Sequence, residues 1–133
     1  FEFASANPLW RASLDVLDFL PLSNVDYAGG LVITDWYSDN SSAKESIKIT
    51  IRFLSNEIRA DGIDVIIHKK ICDDMNVCNV VKTESLIQEE LKLAILKRAT
   101  MYEKDMIEKI VKENKKNPGI KLSDIKKAID GQN

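Results

Sequence analysis

The sequence predicts an α+β fold, a two-layer sandwich in which helices cover one face of an antiparallel sheet. Three observations predict it: an amphipathic helical segment near the start, strand-like runs in the middle, and a return to helical periodicity from residue 83 onward. The expected order is a helix, three or four antiparallel strands, a long helix and a short C-terminal helix. With 133 residues, 44% of them hydrophobic, the chain is large enough to bury one core.

The first helix is predicted over residues 7–21. Asn7 is a typical N-cap, Pro8 suits the first helical position and Pro21 stops the helix. Residues 1–6 are expected to be a disordered stub or a cloning remnant. One stripe of the helix is apolar and needs a sheet to cover it. Its members, with those that widen it, are Trp10, Leu14, Leu17 and Leu20, and Leu9, Val16 and Phe19.

Three strands and a possible fourth are predicted between the helices. The turn at Gly29 and Gly30 introduces the first, over residues 31–37. The others are expected over residues 47–53, 63–71 and 77–81. Apolar and polar residues alternate strictly along the second strand, which is typical of a sheet covered on one side only. Its core-facing residues are predicted to be Ile47, Ile49, Ile51 and Phe53, with Val65 and Ile67 continuing that face on the next strand.

The uncovered face of the sheet is the first candidate surface for a partner. It is predicted to carry Trp36, Thr50, Arg52, Ile66 and His68. Among these we select Trp36 and Arg52 as partner-binding residues, although a strand-end tryptophan is usually a packing residue whose polar tip reaches water.

The second candidate surface lies on the long helix, predicted over residues 84–115. Such a helix is about 48 Å long, whereas a seven-residue strand spans about 23 Å, so roughly half of the helix overhangs the sheet. The overhang keeps an apolar stripe of Tyr102, Met106, Ile107, Ile110 and Val111. This stripe has two possible covers. Residues 120–129 fold back onto it as a helical hairpin, or a partner protein or a second copy of the chain binds there. The predicted domain therefore spans residues 7–100, and residues 101–133 form a helical extension.

The residue inventory disfavours catalysis and cofactors. His68 is the sole histidine, so a two-histidine zinc motif is impossible, and no nucleophile elbow, phosphate loop or dinucleotide fingerprint occurs. The expectation is therefore a protein that is not an enzyme, with no cofactor and no metal. The net charge of −2 and the lack of a basic stripe argue against nucleic acid. No apolar run approaches the length of a membrane span.

Cys72 and Cys78 flank a short loop and have three possible states. They form a loop-closing disulfide in an oxidising compartment, remain free thiols in a reducing one, or bind a metal together with His68 and Asp74. The disulfide is favoured, because a cysteine at a strand end and its partner across such a loop can meet in disulfide geometry.

Five segments together resemble an alphaproteobacterial family known as domain of unknown function 3576. They are residues 9–15, 19–22, 29–30, 33–38 and 59–62, which read LWRASLD, FLPL, GG, ITDWYS and RADG. The resemblance covers about residues 9–100. The order of elements is also similar to the helix-grip lobes of BamC, an accessory lipoprotein of the outer-membrane β-barrel assembly machine.

The resemblance implies an envelope protein made as a precursor with a signal or lipoprotein N-terminus. It places the two cysteines in an oxidising periplasm, and it carries no catalytic residue because the family has no established activity. The expected function is a periplasmic scaffold or accessory subunit in outer-membrane biogenesis. Its partner would be an envelope protein or a second copy, with membrane contact only through a lipid anchor outside this chain. The alternative is a periplasmic module that binds a small ligand or lipid.

Overall fold

Two α-helices and five strands form the part of the chain that the computed structural model describes, namely residues 7–38, 44–116, 119, 123, 126, 127 and 130. The predicted α+β class is confirmed, and the sheet has five strands where three or four were expected. In chain order the elements are α1 (Pro8–Val16), β1 (Leu22–Asp26), β2 (Leu31–Thr34), β3 (Glu45–Phe53), β4 (Ile63–Cys72), β5 (Cys78–Thr83) and α2 (Leu86–Lys116).

The sheet is an antiparallel meander in the order β1-β2-β3-β4-β5. The unexpected strand is β1, whose sequence LSNVD has only its first residue partly buried. It pairs with β2 through a bulge between Leu22 and Asn24, and the Ser23 hydroxyl donates to the carbonyl of Ile33 or Thr34. An edge strand of this kind is held by main-chain pairing more than by burial, so it has no hydrophobic alternation to reveal it.

Helix α1 begins as predicted and ends earlier. The Asn7 side chain accepts hydrogen bonds from the main-chain N–H groups of Leu9 and Trp10, which satisfies two otherwise unpaired donors. After Val16 the chain tightens, and Asp18 N–H donates to the Asp15 carbonyl three residues back. Residues 17–20 are therefore turns, not the helical end expected at residue 21. Leu17 and Leu20 are nevertheless buried, whereas Phe19 faces solvent and does not widen the core stripe.

The core lies between the helices and the face of the sheet that the alternation predicted. On β3, Ile49 and Ile51 are fully buried, and Ile47 and Phe53 are partly buried against the core. The neighbouring strands add Val32, Val65 and Ile67 to the same face, and the helices add Leu9, Trp10, Ala12, Ile95 and Ala99. One face of the sheet is therefore covered by both helices, as the sequence indicates.

Helix α2 packs on α1 and extends past it. Arg98 forms an ion pair with Asp15, and the Tyr102 ring lies 4.0 Å from the Arg11 guanidinium carbon. No residue between 103 and 116 is buried. The predicted stub over residues 1–6 lies outside the described residues, and so does most of the predicted C-terminal helix over residues 120–129. Asp130 is described, and its main-chain carbonyl accepts a hydrogen bond of 2.7 Å from the Asn56 side chain.

The loop between β3 and β4 is organised by Arg59. Its guanidinium donates two hydrogen bonds to the Asp61 carboxylate and one to Glu57. The hydrogen bonds to Asp61 are the main cause, and the bond to Glu57 the next, of a pKa of Arg59 above its ordinary value. The same bonds from Arg59 lower the pKa of Asp61. These three hydrogen-bonded side chains lie at the surface, in the loop that precedes β4.

Candidate functional site

Trp36 lies on the uncovered face of the sheet because one extra residue is inserted after β2. Ile33 pairs with Thr50, but Tyr37 pairs with Ile47, so three residues on one strand oppose two on the other. Such a bulge reverses which face the following side chains occupy. Tyr37 is thereby packed against the core, and Trp36 falls opposite Lys48 on the uncovered face.

The bulge is fixed by the buried hydroxyl of Thr34. Its Oγ1 accepts the main-chain N–H of Ile49 at 2.9 Å, in place of the carbonyl that a regular ladder would supply. Both residues are buried. The pairing resumes at Tyr37, which exchanges two main-chain hydrogen bonds of 2.8 Å with Ile47.

The Trp36 ring is flanked by two lysines. The Nζ atom of Lys48 lies 5.1 Å and that of Lys70 lies 4.7 Å from the ring centroid. Each such cation–π contact at an exposed site contributes about 0.5–1 kcal/mol. The two contacts place two positive charges beside one aromatic ring on the surface of the sheet.

A third lysine extends this surface toward β5. Lys48, His68 and Lys82 are directly opposite one another on β3, β4 and β5. Directly opposite side chains are neighbours on one sheet face. We call this surface the basic patch, and its residues are Trp36, Lys48, His68, Lys70 and Lys82.

The positive charge of the basic patch is not neutralised by ion pairs among residues 7–38 and 44–116. The lysines that form ion pairs there are Lys44, Lys69 and Lys116, each with one carboxylate. Arg52, also predicted for this face, is exposed and lies directly opposite Asp64. It is four residues from Lys48 along β3, about 13 Å away, so it stands apart from the patch beside an acidic neighbour.

The predicted overhang residues lie on the other side of the sheet from the basic patch. Tyr102 is engaged by α1, since its ring lies between Arg11 and Arg98. Met106 and Ile110 are half-buried and follow Tyr102 at helical spacing, whereas Ile107, three residues before Ile110, is exposed. The structure therefore separates the two predicted surfaces, so no single partner face contains both.

Cys72 and Cys78 form a disulfide, with an S–S distance of 2.05 Å and a Cα–Cα distance of 4.0 Å. Of the three states considered for the pair, the structure contains the disulfide. They stand directly opposite each other at the end of the β4–β5 hairpin. Over the described ranges, the structure has no group of three or more histidine, cysteine or acidic side chains suited to a metal ion.

The disulfide is expected to stabilise the hairpin end by constraining a short loop. Replacing both cysteines by serine should lower the free energy of unfolding by about 2 kcal/mol, the loop-closure value for so short a segment. Urea denaturation measures the loss, and reduction of the unchanged protein is the control that should match it. Hydrogen exchange should increase around Asp73 and Asn76 and not in β3. Equal stability of the oxidised and reduced proteins would contradict this expectation.

A cleft of about 330 Å³ lies at the N-terminal end of α1. The aromatic part of its lining comes from Trp10, Tyr27 and Phe53, and the polar part includes Asn7, Ser55 and Asn56. The Trp10 ring packs edge-on against Tyr27, with centroids 5.0 Å apart. Its Nε1 atom is buried and has no hydrogen-bond partner among the residues that the structure describes, which is unusual for a buried indole.

Sequence reasoning identified Trp36 and missed the lysines around it. Lys82 lies beyond the strand predicted over residues 77–81, so alternation did not indicate its face. Lys48 alternates with the core-facing residues of its strand, and Lys70 has the same parity as Ile66 and His68, so this signal could have found both. Their convergence on Trp36 depends on the bulge, which no local pattern indicates.

The fold and site together define a class: a small two-layer α+β domain with one sheet face covered by helices and a basic, aromatic opposite face. The sequence profile of the family described as domain of unknown function 3576 matches residues 3–104. The chain therefore belongs to this family, and the predicted resemblance is confirmed. None of the described helices is long and apolar enough to cross a membrane.

One curated relative is an uncharacterized protein of Rickettsia prowazekii (strain Madrid E). It is 41% identical over 63 residues, which cover 47% of this chain and 38% of the relative. The relative is consistent with the alphaproteobacterial character of the resemblance. No solved structure matches the chain, and the similarity to BamC is not confirmed.

Proposed function

We propose that this protein is a non-enzymatic, envelope-associated docking domain, a scaffold or accessory subunit in outer-membrane biogenesis, whose basic patch binds an acidic surface of a partner protein. The observation that carries the proposal is the pair of lysines, Lys48 and Lys70, on the half-buried ring of Trp36. Aromatic rings are common binding hot spots, and uncompensated charge selects partners of opposite sign.

A protein partner fits this surface better than nucleic acid or a membrane. The chain as a whole carries a net charge of −2, whereas nucleic-acid-binding domains are usually basic overall. The patch has only three lysines, spread over three adjacent strands.

The periplasmic location is supported by the disulfide between Cys72 and Cys78. Disulfides persist in the periplasm and are rare in the cytosol of mesophiles, where thiols are kept reduced. A bound partner would also find the hairpin end beside the patch in a fixed conformation.

The test is capture of partners from crosslinked cell envelopes by the oxidised protein, read by quantitative mass spectrometry. The variant Lys48→Glu/Lys70→Glu should capture at least ten-fold less of the acidic partner, because it replaces both lysines beside Trp36 by negative charges. The matched control is Lys97→Glu/Lys104→Glu, which makes the same charge change at two exposed positions of α2. The control should retain the partner.

Two outcomes would contradict the proposal. Equal capture by the patch variant and the control would exclude a charge-dependent role for the patch. Loss of the partner only in Ile107→Glu/Ile110→Glu would move docking to the α2 overhang. Circular dichroism of every variant confirms that the fold is intact. Raising the salt concentration should weaken the specific capture, since exposed charges are screened over about 8 Å at physiological ionic strength.

The second candidate function is binding of a small ligand or lipid. It is favoured by the aromatic cleft beside Trp10, whose Nε1 lacks a hydrogen-bond partner, because ligand sites combine apolar walls with a few polar groups. Native mass spectrometry of the purified protein discriminates the two. A co-purified molecule that is lost in Tyr27→Ala and retained in Lys48→Glu/Lys70→Glu would favour the cleft.

A further inference from the structure

Strand β5 is an unprotected edge of the sheet. It is last in the strand order, and every residue from Cys78 to Lys82 is exposed. Its register with β4 is continuous over six residue pairs. The opposite edge differs, because β1 follows Pro21 and contains a bulge. Bulges, prolines and lysines are among the features by which proteins blunt sheet edges, and β5 has of these only Lys82.

The hydrogen bonds of the hairpin show which main-chain groups of β5 point outward. Asp73 N–H donates to the Val77 carbonyl, whereas Cys72 N–H donates away from β5, to the Lys44 carbonyl. In antiparallel pairs, hydrogen-bonded and non-hydrogen-bonded positions alternate. Cys72 and Cys78 are therefore a non-hydrogen-bonded pair, consistent with their Cα–Cα distance of 4.0 Å. It follows that Cys78, Val80 and Lys82 direct their N–H and C=O groups away from β4.

The two faces along this edge differ in charge, because β5 carries Val80 and Lys82 on the uncovered face and the uncharged Asn79 and Val81 on the other. Val80 and Lys82 share the uncovered face with Lys70 and His68, which are their partners on β4. On the other face, Val81 and Ile71 are 46% and 42% exposed. A strand added beside β5 would therefore meet Lys82 and Lys70 around Val80 on one face, and Val81 and Ile71 beside Asn79 on the other.

We propose that β5 binds an extended segment of an acidic partner protein as an antiparallel sixth strand, with acidic side chains toward Lys70 and Lys82 and apolar ones against Val81. The acidity of the segment rests on the proposed function of the basic patch. The main-chain groups of Cys78, Val80 and Lys82 supply the hydrogen bonds, as in other proteins that bind peptides by strand addition.

The probe is an acetylated peptide in which glutamate and valine alternate, added to the oxidised full chain. Its binding should protect the amides of Cys78, Val80 and Lys82 from hydrogen exchange. The glutamates must lie opposite these residues to share their face, so the N–H groups of the glutamates donate to β5. N-methylation at the glutamates should abolish binding, and N-methylation at the valines should leave it. The reverse pattern, or equal binding of both, overturns the proposal.

Val80→Pro tests the same contact from the protein side. The Val80 N–H points outward, so proline removes a docking donor while the β4–β5 ladder keeps its bonds. Peptide affinity should fall at least ten-fold, and the control Val80→Thr, which keeps the N–H, should bind normally. If Val80→Pro fails to fold, the two N-methylated peptides still decide the question on the unchanged protein.

The outcomes separate strand addition from the proposed function. Loss of the envelope partner in Lys48→Glu/Lys70→Glu together with its retention in Val80→Pro would overturn strand addition and leave the basic patch as the docking surface. Peptide binding with the predicted N-methyl pattern supports strand addition even if the patch variant keeps the envelope partner. A dimer in analytical ultracentrifugation that Val80→Pro dissociates, without peptide binding, would assign β5 to a second copy and overturn the proposal.

Discussion

Replacing Trp10 by alanine is expected to lower the free energy of unfolding by about 3–5 kcal/mol. Trp10 is 1% exposed and joins α1 to the sheet. Its ring centroid lies 5.0 Å from that of Tyr27, in the turn after β1, and 5.1 Å from that of Phe53, at the end of β3. Truncation therefore removes a large buried surface and the aromatic contacts of two separate elements.

Urea denaturation followed by far-ultraviolet circular dichroism measures this loss. The chain contains two tryptophans, and the second supplies a matched control. Trp36→Ala removes the same side chain from the half-buried position on the uncovered face, so its cost should be much smaller. Similar losses for the two variants would contradict the assignment of Trp10 to the core. They would also weaken the view that Trp36 is free to contact a partner.

The regular core elements were predictable because burial repeats in the sequence. The alternation of residues 47–53 identified β3 and its buried face, and the spacing of Leu91, Ile95 and Ala99 identified the packed stripe of α2. Strand β1 was not predictable in this way. Its residues are largely exposed, and what holds it is pairing with β2, a non-local contact that leaves no period.

The candidate site was half predictable for a related reason. Parity along β3 and β4 places Lys48 and Lys70 on the uncovered face. Trp36 was assigned to the same face on the assumption that residues 31–37 form one strand. In an unbroken register with Ile33 opposite Thr50, Trp36 would oppose Ile47 on the core side. Its true position depends on the extra residue after β2, so the correct face was reached without the feature that causes it.

That dependence makes the Thr34 hydroxyl a determinant of both stability and the site. Thr34→Val keeps the size and the β-branch of the side chain and removes the acceptor for the Ile49 N–H. Both residues are buried, so water cannot replace the lost partner. The expected cost is about 3 kcal/mol, the upper end of the range for leaving a buried polar group unpaired.

Thr34→Val should also change the geometry of the basic patch. If the bulge relaxes, Trp36 moves off the axis between Lys48 and Lys70, and the ring-current shifts of their ε-methylene protons should decrease. Nuclear magnetic resonance measures these shifts, and chemical denaturation measures the stability. Thr34→Ser retains the hydroxyl and should keep the lysine shifts near those of the unchanged protein. Normal stability in Thr34→Val would show that the hydroxyl is dispensable. A large loss of stability with unchanged lysine shifts would instead show that the position of Trp36 does not depend on the bulge. The two cation–π contacts alone would then hold the Trp36 ring in the docking surface.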